Sequence, residues 1–196
     1  NRKQWNPNAV VFDNARSYGT PSYWVQRLFG QNRADRIVPL QHTVTAKPFE
    51  FAGSVGLQTW KTQAEFRNIV LESGGVMQPL SDWKHGAGAW SVQDGVIRQT
   101  DLREDRRSVA NGVKLGQRFA YELEAKKTSG DEGFIIMMGV GNGRSVQWNL
   151  GGWGNTQHAF QVDGGGPLAS KPGSIETGRW YRIRLEVDGP KVTAWL

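Results

Sequence analysis

Phe119-Ala120-Tyr121-Glu122-Leu123-Glu124-Ala125-Lys126 decides the fold class, because it alternates strictly between core-seeking and charged residues. Phe119, Tyr121, Leu123 and Ala125 point one way, while Glu122, Glu124 and Lys126 point the other. Successive side chains of a strand leave opposite faces, so this is a half-solvated antiparallel strand. The pattern returns near the end of the chain, where Tyr181, Ile183, Leu185 and Val187 oppose Arg182, Arg184 and Glu186. Between these two, residues 134–140 are apolar on both faces and predict a central strand. Val146, Trp148 and Leu150 then oppose Ser145, Gln147 and Asn149, and Ala159 to Val162 form a further strand after a glycine-rich turn.

Working outward, Val55 to Trp60 and Glu65 to Leu71 read as a first strand pair. Trp90 to Val92 and Val96 to Gln99 read as a second, turned at Asp94-Gly95, and Gly189-Pro190 turns the chain into Val192 to Leu196. Short strands at spacings of roughly ten residues, punctuated by Gly and Asp, predict an all-β, two-sheet antiparallel sandwich over residues 41–196. Residues 1–40 differ in kind. Ala9-Val10-Val11-Phe12 fits a buried strand of a parallel sheet. Thr20 and Pro21 then suit the cap and first position of a helix carrying Tyr23, Trp24, Val25, Leu28 and Phe29. Such a strand-helix appendage cannot bury both of its apolar surfaces alone.

Composition narrows the function. The chain has 24 Lys and Arg against 18 Asp and Glu, a net charge of +6, and a pI near 9.8. The surplus is uneven, however: residues 1–50 hold seven basic and three acidic residues, and residues 51–196 hold 17 and 15. The densest basic run, residues 103–107, is interrupted by Glu104 and Asp105 and reads as a solvated loop, not a phosphate track, so no nucleic-acid partner is expected. No stretch approaches the roughly 18 to 20 apolar residues needed to span a bilayer, so no membrane partner is expected either. The chain starts abruptly at Asn1 and stops at Trp195-Leu196 inside a strand pattern, which predicts a fragment or a processed product. It contains no Cys, so disulfides and thiolate metal sites are excluded.

The most suggestive local chemistry is Gly151-Gly152-Trp153-Gly154-Asn155-Thr156-Gln157-His158. A sugar presents C–H faces that stack on an indole and hydroxyls that need paired donors and acceptors, and this turn supplies both. Trp153 is the candidate stacking residue. Asn155, Gln157 and His158 at the turn, with Gln147 and Asn149 on the polar face of the preceding strand, are the candidate hydrogen-bonding residues. Trp60 and Trp180 are weaker carbohydrate-binding candidates, each with a core role as the competing reading, and Trp83, Trp90 and Trp148 are assigned to packing. The plain alternative for Trp153 itself is a core side chain above a glycine hairpin.

Other chemistries find less support. Glu104-Asp105 and Asp131-Glu132 are adjacent pairs in turns, and neighbours on an extended segment point apart, so they make poor acid/base partners. His42, His85 and His158 lack metal-ligand spacing. Gly139 to Gly143 has no following helix, which argues against a phosphate loop.

Two stretches carry a family resemblance. Residues 6–14, Asn-Pro-Asn-Ala-Val-Val-Phe-Asp-Asn, with residues 17–29, Ser-Tyr-Gly-Thr-Pro-Ser-Tyr-Trp-Val-Gln-Arg-Leu-Phe, resemble the last barrel strand and helix of glycoside hydrolase family 51 α-L-arabinofuranosidases. The remainder is similar to the concanavalin-like or laminin-G-like jelly-roll module at the carboxyl end of some of those enzymes. It does so through residues 56–60 (Gly-Leu-Gln-Thr-Trp), 62–69 (Thr-Gln-Ala-Glu-Phe-Arg-Asn-Ile), 151–158 and 178–181 (Gly-Arg-Trp-Tyr).

The resemblance implies a retaining glycosidase as the parent, whose two catalytic glutamates lie on earlier barrel strands. Residues 1–50 contain only Glu50, outside any matching motif, so no catalytic residue is expected in this chain and it should be inactive alone. Asp13 and Asn14 would fall at the carboxyl end of the last barrel strand, as pocket residues or as turn and capping residues. The pattern at residues 53–69 normally closes such a module, so its early position implies a circular permutation. Strands 55–60 and 64–71 would then pack beside the last strands, including 191–196.

The implied function is a noncatalytic accessory module that binds plant cell-wall polysaccharide, arabinan or arabinoxylan, next to the catalytic barrel of its parent, in a secreted or periplasmic setting. The rivals are a sandwich that only buttresses the barrel and a sandwich with its own glycoside hydrolase activity. No cofactor is implied beyond a structural calcium ion, which such modules sometimes hold; no loop here has its diagnostic pattern.

Overall fold

The computed structural model describes Val10–Asp13, Arg16–Gly19, residues 51–140 and residues 145–196. The chain divides into two units, Asn1–Ala46 and Lys47–Leu196. In the first, β1 (Val10–Asp13) pairs antiparallel with β2 (Arg16–Gly19), with Val11 opposite Tyr18 and Phe12 opposite Ser17. The strand lies where the apolar run places it. Its partner is a local antiparallel strand, not the parallel neighbour expected, because residues 16–19 are themselves extended and only two residues away. The helix expected after Thr20, the connector to Pro48, and Asn14, Glu50 and His42 lie outside the described residues.

The described residues of the second unit form fourteen strands in two antiparallel sheets. They are β3 (Ser54–Thr59), β4 (Thr62–Ser73), β5 (Val76–Pro79), β6 (Trp83–His85), β7 (Trp90–Gln93), β8 (Val96–Gln99) and β9 (Arg106–Ala110). They continue with β10 (Arg118–Gly130), β11 (Phe134–Val140), β12 (Val146–Gly151), β13 (Gln157–Val162), β14 (Pro167–Pro172), β15 (Trp180–Asp188) and β16 (Lys191–Trp195). Sheet I has the order β16-β15-β10-β4-β8-β7, with β5 also paired to β4; sheet II has the order β14-β13-β12-β11-β3-β9-β6. A two-sheet antiparallel sandwich is therefore the fold.

The strand that decided the fold is β10, and it sits at the centre of sheet I between β4 and β15, with Tyr121 opposite both Leu71 and Leu185. Tyr121, Leu123, Ala125, Ile183 and Leu185 are buried in the core, as the alternation requires. The doubly apolar strand β11 is the middle strand of sheet II, flanked by β12 and β3. Phe134, Ile136 and Met138 enter the core, and Trp148 of β12 stacks on Phe160 of β13 with ring centroids 5.6 Å apart. Asp94 and Gly95, both with positive φ, turn the β7–β8 hairpin as its Asp-Gly pair predicts.

Three pairings differ from expectation. β3 and β4 are not partners: the chain turns at Trp60-Lys61, with Lys61 at positive φ, and crosses from sheet II to sheet I. Two consecutive apolar strands fit a sheet-to-sheet corner as well as a hairpin, and only long-range packing separates the two. The last strands do not lie beside these segments either, since β10 separates β4 from β15 and β16, and β3 is in the opposite sheet. Four strands, β5, β6, β9 and β14, had no apolar run to announce them; β5 and β14 are exposed along their whole length. β4 also carries a bulge, where Asn68 takes φ 51° and the register against β10 shifts between Glu122 and Glu124.

Candidate functional site

The register of sheet II builds a polar floor on the face turned away from the core. Arg107 of β9 lies opposite Gln58 of β3, Gln58 opposite Ile135 of β11, and Ile135 opposite Asn149 of β12. The adjacent row runs Val109, Gly56, Met137, Gln147, Gln161. Strand alternation brings these side chains out on one face. Gly56 keeps the floor low there, since a Cβ at that position would lie 2.6 Å from Met137 Cε.

Above this floor is a pocket of about 400 Å³ bounded by Trp60, Trp153, Glu132 and the Asp163-Gly164-Gly165 turn. Its base is a chain of amides. Gln161 Nε2 donates to Gln147 Oε1 at 2.8 Å, and Gln147 Nε2 donates to Gln58 Oε1 at 3.1 Å. Gln58 Nε2 in turn donates to Asp105 Oδ1 at 2.9 Å. A carboxylate can only accept, so Asp105 fixes the orientation of every amide behind it. Asn149 differs: it is 7% exposed and lines the pocket, yet its amide makes no hydrogen bond to another described side chain or backbone group.

The rim is held by the β12–β13 turn. Gly151 (φ 66°), Trp153 (φ 52°, ψ 55°), Gly154 (φ 70°) and Asn155 (φ 63°) all adopt left-handed conformations. That region is sterically disfavoured for a tryptophan, so surrounding contacts must enforce it. Asn155 supplies the main one: its Oδ1 accepts from Ile175 N–H at 2.7 Å and its Nδ2 donates to Ile175 O at 3.0 Å. Gly154 N–H donates to Glu132 Oε1 at 3.3 Å, and Thr156 Oγ1 donates to Trp153 O at 2.9 Å. The outcome is a Trp153 residue that is 42% exposed and lines the pocket wall, which excludes the core reading.

The charges of the pocket are largely committed to each other. Arg107 forms a bidentate pair with Asp163 (Nη1–Oδ2 2.5 Å, Nη2–Oδ1 3.0 Å) and donates from Nε to Asp105. The guanidinium holds the Asp163 carboxyl below its ordinary range, helped by Gln147 and the Gly164 N–H. Glu132 moves the other way: burial raises its pKa, against the opposing pull of the Gly154 N–H and Lys61.

Of the residues expected from sequence, Gln147, Asn149, Trp153 and Trp60 therefore meet in one pocket. The others do not line it. Asn155 is spent on Ile175. His158 is 6% exposed, and its Nδ1 accepts from Gly151 N–H at 3.0 Å; burial, with a smaller contribution from Lys171, lowers its pKa. Gln157 is half-buried at the start of β13 beside Pro172. Trp180 belongs to sheet I, with the Arg67 guanidinium 3.9 Å and the Lys126 ammonium 4.8 Å from its ring. Trp83 and Trp90 pack against the core and Trp148 lies within it, as assigned.

Sequence reasoning missed Gln58, Gln161, Arg107, Asp163 and Glu132. Arg106 and Arg107 open β9 and are not a solvated loop. Arg103 and Arg106 pair with Asp101, so each arginine of that run has an acidic partner. The signal for Gln58 and Gln161 was their polar position within apolar alternation; Arg107 and Asp163, 56 residues apart, needed the pairing itself.

Among the described residues no group of three or more His, Asp or Glu is placed to hold a metal ion. No helix among them is long and apolar enough to cross a membrane.

No protein-family model matches the chain, and no solved structure matches it. An extracellular exo-α-L-arabinofuranosidase of Streptomyces chartreusis is 42% identical over 207 residues, covering 98% of this chain and 25% of that protein. α-L-Arabinofuranosidase 1 of Arabidopsis thaliana is 56% identical, and α-L-arabinofuranosidase 2 of the same plant 50% identical, each over 32 residues and 16% of this chain. The chain spans about a quarter of the length of the Streptomyces relative. Over nearly its whole length the chain is thus homologous to part of an arabinofuranosidase, consistent with the carboxyl-terminal part that its sequence resembles.

Proposed function

We propose that the sandwich is a noncatalytic, concanavalin-like carbohydrate-binding module of an extracellular α-L-arabinofuranosidase. It would hold its parent's catalytic barrel near plant cell-wall arabinan or arabinoxylan. The observation that carries this reading is the row of amides on the pocket floor, with the Asn149 amide open to the pocket and making no hydrogen bond among the described residues, beside the exposed Trp153. A sugar hydroxyl would take the place of water on this amide, and each polar group a ligand covers without pairing costs about 1 to 3 kcal/mol, so the floor favours a ligand rich in hydroxyls. Trp153 and Trp60 then offer apolar walls for the ring's C–H faces.

A hydrolytic site on the sandwich itself is less well supported. Glycoside hydrolysis needs one carboxyl to protonate the leaving group and a second, free carboxylate to attack or to activate water. Asp105 and Asp163 are both engaged by Arg107, which leaves Glu132 alone in the pocket.

Titration of the chain with arabinan and arabinoxylan oligosaccharides, followed by tryptophan fluorescence, tests the proposal. Binding should shift the fluorescence, and Trp153→Ala should abolish that shift with the fold retained. No response at millimolar oligosaccharide would sink the binding role and leave the sandwich as a buttress for the barrel.

A further inference from the structure

The pocket carries a charge pattern that goes beyond carbohydrate recognition in general. Three of its lining residues are ionisable, Arg107, Glu132 and Asp163, and Asp105 stands behind Arg107. The one cation is already occupied on both edges: Nη1 and Nη2 face Asp163, and Nε faces Asp105. Lys61, the remaining nearby cation, is paired with Glu104 at 3.0 Å. An incoming carboxylate would therefore meet three acidic groups and no unpaired cation. Uncharged hydroxyls face a different situation. Gln58 uses one N–H and one acceptor site within the amide chain and keeps one of each, Gln161 keeps one N–H and its carbonyl oxygen, and Asn149 keeps its whole amide.

From this we infer that the pocket selects neutral sugar residues and excludes uronic acids, with Asp163 and Glu132 as the residues that enforce the exclusion. The inference rests on the carbohydrate-binding reading above and adds the chemical class of sugar. Discrimination of this kind works through repulsion: Asp163 neutralises the guanidinium that would otherwise clamp a carboxylate, and Glu132 adds a charge of the same sign at the opposite rim. For a module on an arabinan-degrading enzyme, it would direct binding to neutral side chains in a wall that also contains acidic polymers.

The test uses the full chain and two probes differing in one group: α-1,5-arabinotriose, and the same trisaccharide with its terminal C5 hydroxymethyl oxidised to a carboxylate. Affinities are measured by isothermal titration at low salt. The oxidised probe should bind roughly tenfold weaker or worse, since like-charge juxtaposition at a desolvated site is strongly unfavourable. Asp163→Asn, which frees Arg107, and Glu132→Gln, which leaves Arg107 untouched, should each narrow that gap severalfold; the second variant suffices if the first loses its fold.

Equal or tighter binding of the oxidised probe by the unaltered chain overturns the inference while leaving the carbohydrate-binding reading intact. A gap that both folded variants preserve overturns it too, because the penalty would then come from the lost hydroxyl and not from charge. Failure to bind either probe removes the binding reading and this inference with it.

Discussion

Trp153 occupies a left-handed conformation (φ 52°, ψ 55°) with 42% of its surface exposed, so its two contributions, to stability and to binding, can be separated by comparing Ala and Gly at that position. Each substitution removes the indole. If more than half of a surface of about 150 to 250 Å² is buried, its loss costs on the order of 2 to 4 kcal/mol at about 25 cal/mol per Å². That loss is common to both variants and cancels in their difference. What remains is the backbone: Ala bears the left-handed strain of about 1 kcal/mol, whereas Gly does not, although Gly gives back part of this in unfolded-state entropy. Trp153→Gly should therefore be more stable than Trp153→Ala by up to about 1 kcal/mol, or about 3 °C in melting temperature for a domain of this size. Binding should show no such difference. Stacking a sugar face on the indole buries on the order of 60 Å², about 1.5 kcal/mol, so both variants should lose roughly tenfold in affinity for arabinotriose. Paired urea melts and isothermal titrations provide the measurement. A Trp153→Ala variant at least as stable as Trp153→Gly would refute the enforced left-handed turn, and unchanged affinity in both would refute the stacking wall.

Three further outcomes follow from other positions. Tyr121 is fully buried, and its hydroxyl has no hydrogen-bond partner among the described residues; burial also raises its pKa. Tyr121→Phe should thus leave stability unchanged or raise it by about 1 kcal/mol in denaturant melts, and a loss of 2 kcal/mol or more would indicate a bonded hydroxyl. The Glu132 carboxyl has its pKa raised above 4.5 by burial, so the folded state holds its proton more tightly than the unfolded state does. Its stabilising effect is complete below that value and is lost as pH rises through the folded pKa. Glu132→Gln should therefore gain stability relative to the natural chain between pH 4 and pH 7, and a gap constant with pH would contradict the burial. At Gly152, a Cβ would sit 2.5 Å from Asn149 Nδ2 and 2.7 Å from its Cγ. Gly152→Ala should cost about 1 to 2 kcal/mol in stability as the Asn149 amide swings aside. It should also weaken arabinotriose binding severalfold; unchanged affinity would remove Asn149 from the site.

Whether a feature was legible in the sequence depended on how local its cause is. The alternation of residues 119–126, the doubly apolar run 134–140 and the Asp94-Gly95 turn act within one or two strands, and each appears where it was expected. The corner at Trp60-Lys61 does not have a local cause, since it follows from which sheet β4 joins. Within the pocket, Gln147 and Asn149 were readable from the alternation of their strand, whereas Trp60 was readable only as a weaker candidate. Gln58 and Arg107 were not, because they meet only through the β3–β9 register. Asn155 and His158 lie outside this pocket for a different physical reason. A polar side chain at a tight turn has backbone groups within reach: Asn155 bonds Ile175 through both ends of its amide, and His158 accepts the Gly151 N–H at Nδ1.

The two outer faces of the sandwich make the case for the pocket by contrast. On sheet I the outward positions hold charged residues that pair across strands, Arg67 with Glu124, Arg98 and Lys126 with Glu65, and Arg184 with Glu122. Such a surface is solvated and self-satisfied, and its ion pairs contribute little individually. On sheet II the equivalent positions hold one arginine, apolar side chains and four uncharged amides, of which Gln58, Gln147 and Asn149 are only 2%, 2% and 7% exposed. Burying neutral amides on an outward face is unfavourable unless they are hydrogen-bonded; this sheet bonds Gln58, Gln147 and Gln161 to each other and leaves the Asn149 amide open to the pocket. A face selected only for solubility would resemble sheet I. Oriented and partly unspent amides beside two indoles are the reason we attach the proposed binding of a neutral polar ligand to sheet II and not to the tryptophan-bearing face of sheet I.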